Sequence, residues 1–119
     1  MNYIDGYVAA VPTANREAYR EFAEKIALLF KQHGALNIVE NWGDDVPEGK
    51  LTSFPMAVKC QPDETVIFSW ITWPSRDVRD NGWKLVLAEP MMQPGANPNS
   101  KLFDGKRMIF GGFQTIVEA

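Results

Sequence analysis

The run Thr-Val-Ile-Phe-Ser-Trp-Ile-Thr-Trp at residues 65–73 carries no charge on either of its alternating faces. Successive side chains of a strand point to opposite sides, so a strand wetted on one side shows a polar residue at every second place. This one does not, and the fold must cover it on both sides. The segments around it narrow the choice. Residues 3–11 read as a strand that Pro12 ends, with Tyr3, Asp5, Tyr7, Ala9 and Val11 on one face and Ile4, Gly6, Val8 and Ala10 on the other. Residues 15–33 read as a long helix. Thr13 or Asn15 is placed to cap it, Tyr19, Phe22, Ile26, Leu29 and Phe30 form its buried stripe, and Gly34 can end it. Residues 35–42 read as a second strand and 43–59 as a loop of turn residues. Residues 76–88 read as a second helix capped by Ser75, 90–98 as a Pro/Gly loop and 106–117 as the last strand.

This β-α-β-β-α-β order predicts an α+β, ferredoxin-like domain: a four-stranded antiparallel sheet with two helices. Crossovers of one hand place both helices on the same face. The opposite face then needs a partner, because Phe68, Trp70 and Ile71 are spread over both faces of the third strand. Burying each such side chain is worth roughly 1.5–3 kcal/mol. A two-fold homodimer, sheet against sheet, is the simplest closed solution. At 119 residues the chain is expected to form one domain, 1–119. In the second helix Val78, Trp83 and Leu85 are expected to face the sheet, and Gly82 to cost about 1 kcal/mol against alanine. Gly111-Gly112 in the last strand predicts a bulge or a close approach by another backbone.

Several classes of function are disfavoured. A net charge of −3 and a pI near 5.1 give no broad positive field, so nucleic acid is not expected as a partner. No apolar run approaches the roughly 20 residues that span a bilayer, and no basic segment precedes a hydrophobic core at the start. The expectation is a cytoplasmic protein with neither membrane partner nor leader. Cys60 is the only cysteine and His33 the only histidine. That rules out an intrachain disulfide, histidine-based triads and ordinary His-rich zinc sites. No metal or cofactor is expected.

The candidate chemistry sits in a few places. His33 fits a general base, but better a helix C-terminal residue in the favourable end of the helix dipole. Asp44 and Asp45 fit a cation site or, more simply, turns of a Gly/Pro loop that also carries Lys50 and Ser53. Asp5 and Arg107 belong to strands that this fold places side by side. If both point away from the helices they form a polar pair inside an apolar space, the usual construction of a small-ligand site; otherwise they are an edge ion pair. Trp42, Trp70 and Trp73, with Tyr7 and Phe110, fit either a pocket for a flat apolar ligand or plain core or dimer interface, and Ser69 adds a hydroxyl beside them. Gly111-Gly112-Phe113 lacks the strand–helix setting of a phosphate loop.

Gly43-Asp44-Asp45-Val46-Pro47-Glu48-Gly49-Lys50, Thr52-Ser53-Phe54-Pro55, Phe68-Ser69-Trp70, Pro74-Ser75-Arg76, Phe103-Asp104-Gly105-Lys106-Arg107-Met108 and Gly111-Gly112-Phe113 together resemble a bacterial family known as domain of unknown function 1428. The resemblance covers nearly the whole chain, with departures at Gly82-Trp83 and in residues 93–100. It implies the dimeric α/β-barrel class, whose relatives include cofactor-free monooxygenases, haem-handling proteins and stress proteins, and it supplies no catalytic residues. Some members carry a signal-recognition-particle RNA label that this composition does not support.

Three functions stay open on these grounds. The first is a homodimer holding a small, partly apolar molecule between its sheets, with Asp5, Tyr7, Trp42, Ser69, Trp70, Arg107 and Phe110 as candidate contacts. The second is a cofactor-independent enzyme of the monooxygenase or isomerase type, which rests on fold analogy. The third is a non-catalytic interaction protein that uses its long loops.

Overall fold

The computed structural model describes residues 1–93 and 102–119; the loop expected at 90–98 lies outside them from residue 94 on. The strands are β1 (Tyr3–Pro12), β2 (Asn37–Trp42), β3 (Glu64–Trp73) and β4 (Ile109–Gln114). The helices are α1 (Arg16–Gln32), a single turn α2 (Phe54–Ala57) and α3 (Arg76–Ala88). The sheet order is β2-β3-β1-β4 and every neighbouring pair is antiparallel. The protein is thus an α+β fold with a four-stranded antiparallel sheet, consistent with the ferredoxin-like class.

Local chemistry explains most element ends. Ser75 and Ser53 are N-caps whose hydroxyls accept from the N–H groups of Val78 at 3.2 Å and Met56 at 3.1 Å. Gly34 ends α1 at φ +111°, where a side chain would also run into Val78. The cap expected on α1 is not made. A 3-10 turn, Thr13–Asn15, leads into the helix, and it spends those side chains elsewhere. Thr13 pairs with the Thr65 hydroxyl at 2.7 Å, and the Asn15 amide donates to the Leu102 carbonyl at 3.0 Å.

Both long helices pack on the face that carries the odd-numbered residues of β1. One half of this layer joins Tyr3, Phe30, Ala35, Ile71, Trp73 and Val86; the other joins Ala9, Val11, Tyr19, Ala23 and Ile67. Val86, not Leu85, takes the inward position on α3, and Leu85 is 44% exposed. One residue turns a helix by about 100°, enough to exchange the two. Gly82 does not merely cost helix propensity. It is buried where α3 crosses Trp73, and a Cβ there would lie 2.7 Å from the His33 carbonyl oxygen and inside the Trp73 ring contact. The glycine sets how closely α3 approaches the sheet.

The other face is half covered. The 43–59 segment, expected as plain loop, forms α2 and folds back so that Val58 is buried with Val8, Ala10 and Val66. Beyond it Phe68, Ile109 and Phe113 stand 46%, 45% and 59% exposed. The last strand is shorter than expected, because Asp104 caps a 3-10 turn at Gly105–Arg107 that uses up the residues before β4. Gly111 and Gly112 form no bulge: they pair in register with Gly6 and Asp5.

Candidate functional site

Register sorts the candidate residues between the two sides of the sheet. Tyr7 stands opposite Ser69, which stands opposite Glu40, and Asp5 opposite Ile71, all on the helix side. Trp42 and Phe110 share that side, with Phe110 exposed along the edge strand β4. Trp70 lies on the open side, opposite Gly6 and Val39. The expected aromatic cluster is therefore divided by the sheet itself.

Asp5 does not pair with Arg107. Its side chain points toward the helices, where α3 brings Arg79 and Trp83 down to it. The Arg79 guanidinium donates from Nη2 at 2.8 Å and from Nε at 3.1 Å, and the indole N–H groups of Trp73 and Trp83 each donate at 2.8 Å. Arg79 also lies 5.2 Å over the Tyr3 ring and donates to Asp80. Asp5 is 6% exposed, so its charge is balanced by one cation and two dipoles in a nearly dry place. Gly112 makes room for this cluster, since a Cβ there would sit 2.9 Å from Arg79 Nη2. The arrangement is saturated and leaves the carboxylate no lone pair aimed at a ligand.

A second polar cluster was not foreseen. Glu40 of β2 accepts from three hydroxyls: Tyr7 at 2.7 Å, Tyr19 at 2.9 Å and Ser69 at 2.5 Å. Burial first, and then the adjacent Glu40 charge, push both phenols far above their ordinary value, so they remain protonated donors. The only sign of this in the sequence was a lone acid in an otherwise uncharged strand.

Arg107 works at the opposite end of the molecule. It forms a fork on Glu64, with Nη1 and Nη2 at 2.8 and 2.7 Å, and reaches Asp104 and the Lys59 carbonyl. This fork holds the Glu64 carboxyl below its usual range. Glu64, Cys60 and Asp44 line a small cleft of about 370 Å³. Burial pushes the Cys60 thiol up, toward the unreactive protonated form. Of the remaining loop candidates, Ser53 caps α2 while Asp45 and Lys50 are exposed. His33 caps the end of α1 and its Nε2 meets Glu89 at 2.9 Å, tying the ends of α1 and α3 together.

A large concavity lies on the open side. It is a groove of about 680 Å³ whose lining includes no charged residue. Phe54, Phe68 and Trp70 run along one wall, with Phe54 stacked on Phe68 at 5.6 Å and Phe68 edge-on to Trp70 at 5.7 Å. Ile109 and Phe113 form the other wall, and Gln114 and Thr115 add polar atoms at one end. Of the seven ligand candidates Tyr7, Trp70 and Phe110 line this space, but by register Tyr7 and Phe110 belong to the helix side and only Trp70 stands on the open side. Phe54, Phe68 and Phe113 carry it instead, and of these only Phe68 had a signal in the sequence, the uncharged alternating faces of residues 65–73.

A family model described as a protein of unknown function, DUF1428, matches residues 2–105. The chain belongs to the DUF1428 family. It is 52% identical over 118 residues to the uncharacterized protein YbaA of Escherichia coli K12, with 99% of each chain covered. The same identity and coverage relate it to YbaA of Escherichia coli O157:H7 and of Shigella flexneri. The DUF1428 match takes in β1 through α3 and both polar clusters, while β4 lies beyond it. Among the described residues of this DUF1428 chain, no three His, Cys, Asp or Glu side chains gather as metal ligands. No described helix is long and apolar enough to cross a membrane.

Proposed function

We propose that this DUF1428 chain acts as a single cytoplasmic domain in a homodimeric α/β barrel, open face against open face, holding a small, partly apolar molecule between the sheets. The observation that carries this reading is the half-covered sheet face with its uncharged groove. Exposed Phe68, Phe113 and Ile109 on one continuous surface are costly in water and mark a contact surface. The groove volume falls within the roughly 300–1,000 Å³ range of small-molecule sites. Binding is favoured over catalysis because the acid and hydroxyl groups of the Glu40 cluster lie on the other side of the sheet, away from the groove.

Native mass spectrometry of the protein purified from a bacterium that makes it, repeated after denaturation, tests both parts. A dimer carrying an extra mass that denaturation releases is the expected result. A bare dimer with a filled interior would remove the ligand and favour an interaction role. A monomer would overturn the assembly and the ligand site with it.

A further inference from the structure

We propose that the outer edge of β4 is an interaction surface that pairs, backbone to backbone, with β4 of a second copy of this chain. The inference rests on the homodimer reading above and deepens it by naming the seam between the two sheets. The uncharged runs 6–15 and 65–75 fall in β1 and β3. Both are central strands, with a neighbour on each side. The uncharged run 108–117 contains β4, which lies at the edge of the sheet, where no described strand meets its outer side. Edge strands are normally blunted by a charged residue, a proline or a bulge, because their free N–H and C=O groups invite another strand. β2, the other edge, holds Glu40 and the exposed Asn37 and Asn41. β4 has none of these devices: it pairs in register with β1 and contains neither charge nor proline.

The free groups can be named. Thr115 donates its N–H to the Asn2 carbonyl at 3.3 Å, and the direction of these bonds alternates along an antiparallel strand. The N–H and C=O groups of Phe110, Gly112 and Gln114 therefore point away from β1. Apolar side chains are exposed on both faces of the same strand, Phe110 at 77% on the helix side and Ile109 and Phe113 on the open side. A strand apolar on both faces matches another of its kind. Two copies also share a net charge of −3, and an uncharged edge lets them approach without repulsion. A two-fold axis beside β4 pairs the strand antiparallel with itself and makes every contact twice. It leaves both open faces on one side of an eight-stranded sheet, and curling of so wide a sheet turns those faces toward each other. The edge does not act alone. An aromatic side chain buries about 150–250 Å², so β4 needs the adjoining wall of Phe68 and Trp70 to approach the roughly 800 Å² per partner of stable interfaces. Phe113 belongs to both surfaces and joins them.

The test is amide hydrogen exchange of the isotope-labelled protein, read residue by residue by NMR, with sedimentation on the same samples. The amides of Ile109, Gly111 and Phe113 face β1 and are protected in any case. The expected result is a dimer in which the amides of Phe110, Gly112 and Gln114 are slowed at least about a hundredfold against free peptide. Dimers mixed from labelled and unlabelled chains should show contacts between β4 of one copy and β4 of the other. Gln114→Pro removes an outward N–H and no bond to β1. It should keep the far-UV circular dichroism and weaken the dimer at least about tenfold. Gln114→Ala keeps the N–H and should leave the dimer within about twofold of the wild type. A dimer whose three outward amides exchange freely would overturn the seam and leave the homodimer reading standing. So would contacts that run from β4 of one copy to β2 of the other, or protection at β4 with a dimer that Gln114→Pro does not weaken. A wild-type monomer would overturn the seam and the homodimer together. If Gln114→Pro fails to fold, the exchange pattern and the contacts between wild-type copies still decide.

Discussion

Asp5 shows how much one buried side chain can organise. It takes hydrogen bonds from the Arg79 guanidinium and from two indoles, and those donors come from β3 and α3. Asp5→Ala would leave a cation and two N–H groups facing each other without an acceptor. Removing one member of a buried pair costs about 3–5 kcal/mol, and urea denaturation should show a loss of that size; a loss below about 1 kcal/mol would mean that water replaces the carboxylate freely. The Glu40 cluster has a different signature, visible in pH. Tyr7 and Tyr19 have folded-state values raised above the ordinary 10.0. Above pH 10 the unfolded chain has lost these protons while the folded one keeps them. Their stabilisation is therefore complete below pH 10 and is lost as pH rises, by roughly 1.4 kcal/mol per pH unit for each phenol. Tyr7→Phe and Tyr19→Phe should each flatten the alkaline fall of stability by about that slope, as read from urea midpoints across pH 10 to 11. An unchanged slope would mean that the phenols are wetter than their hydrogen bonds imply.

At the scale of elements, α3 owes its position to Gly82. On an exposed helix Gly→Ala gains about 1 kcal/mol. Here Gly82→Ala should instead lose about 1–3 kcal/mol, because the new methyl meets the Trp73 ring and the His33 carbonyl; a stabilised variant would show that α3 can lift away at little cost. This glycine also marks how far the chain was legible. Alternation in residues 3–11 assigned the two faces of β1 correctly, and the apolar stripe placed α1 within a residue or so of its observed ends, because both are local periodicities. Ser75 was legible as a cap for the same reason. Partners distant in sequence were not. Arg107 looked like the mate of Asp5 because the fold places β4 beside β1. Two facts undo that pairing: the 3-10 turn at Gly105–Arg107 starts the strand late, and Asp5 faces the helices. Nothing in the sequence sets Arg79 apart, and only its place in an otherwise uncharged strand marks Glu40. Neither role is visible until strand register sets one element over another. The fold of residues 54–58 onto the sheet was hidden by turn chemistry that reads equally well as an open loop.

For the molecule as a whole, the decisive question is what meets the open face. Its groove is uncharged, and Phe68 stands on its wall half exposed. If two copies close over each other there, the contact must come close to the roughly 800 Å² per partner of stable interfaces, and its strength comes from apolar area. Three consequences follow together. The melting temperature of the wild type should rise with protein concentration, because association stabilises only the folded form. The dimer should change little between low and high salt, since screening acts on charges and the groove lining has none. Phe68→Glu should give a folded monomer, with far-UV circular dichroism retained and a melting temperature independent of concentration, because an unpaired carboxylate would have to be buried for the sheets to meet. Leu28→Glu serves as the control. It places the same charge on α1 at a residue 65% exposed, and it should leave the dimer intact. Sedimentation equilibrium of the three proteins separates the cases. A dimer that survives Phe68→Glu but not Leu28→Glu would move the interface to the helices and leave the groove open to another occupant, whereas a wild-type monomer would mean that the exposed aromatic face exists for a different molecule altogether.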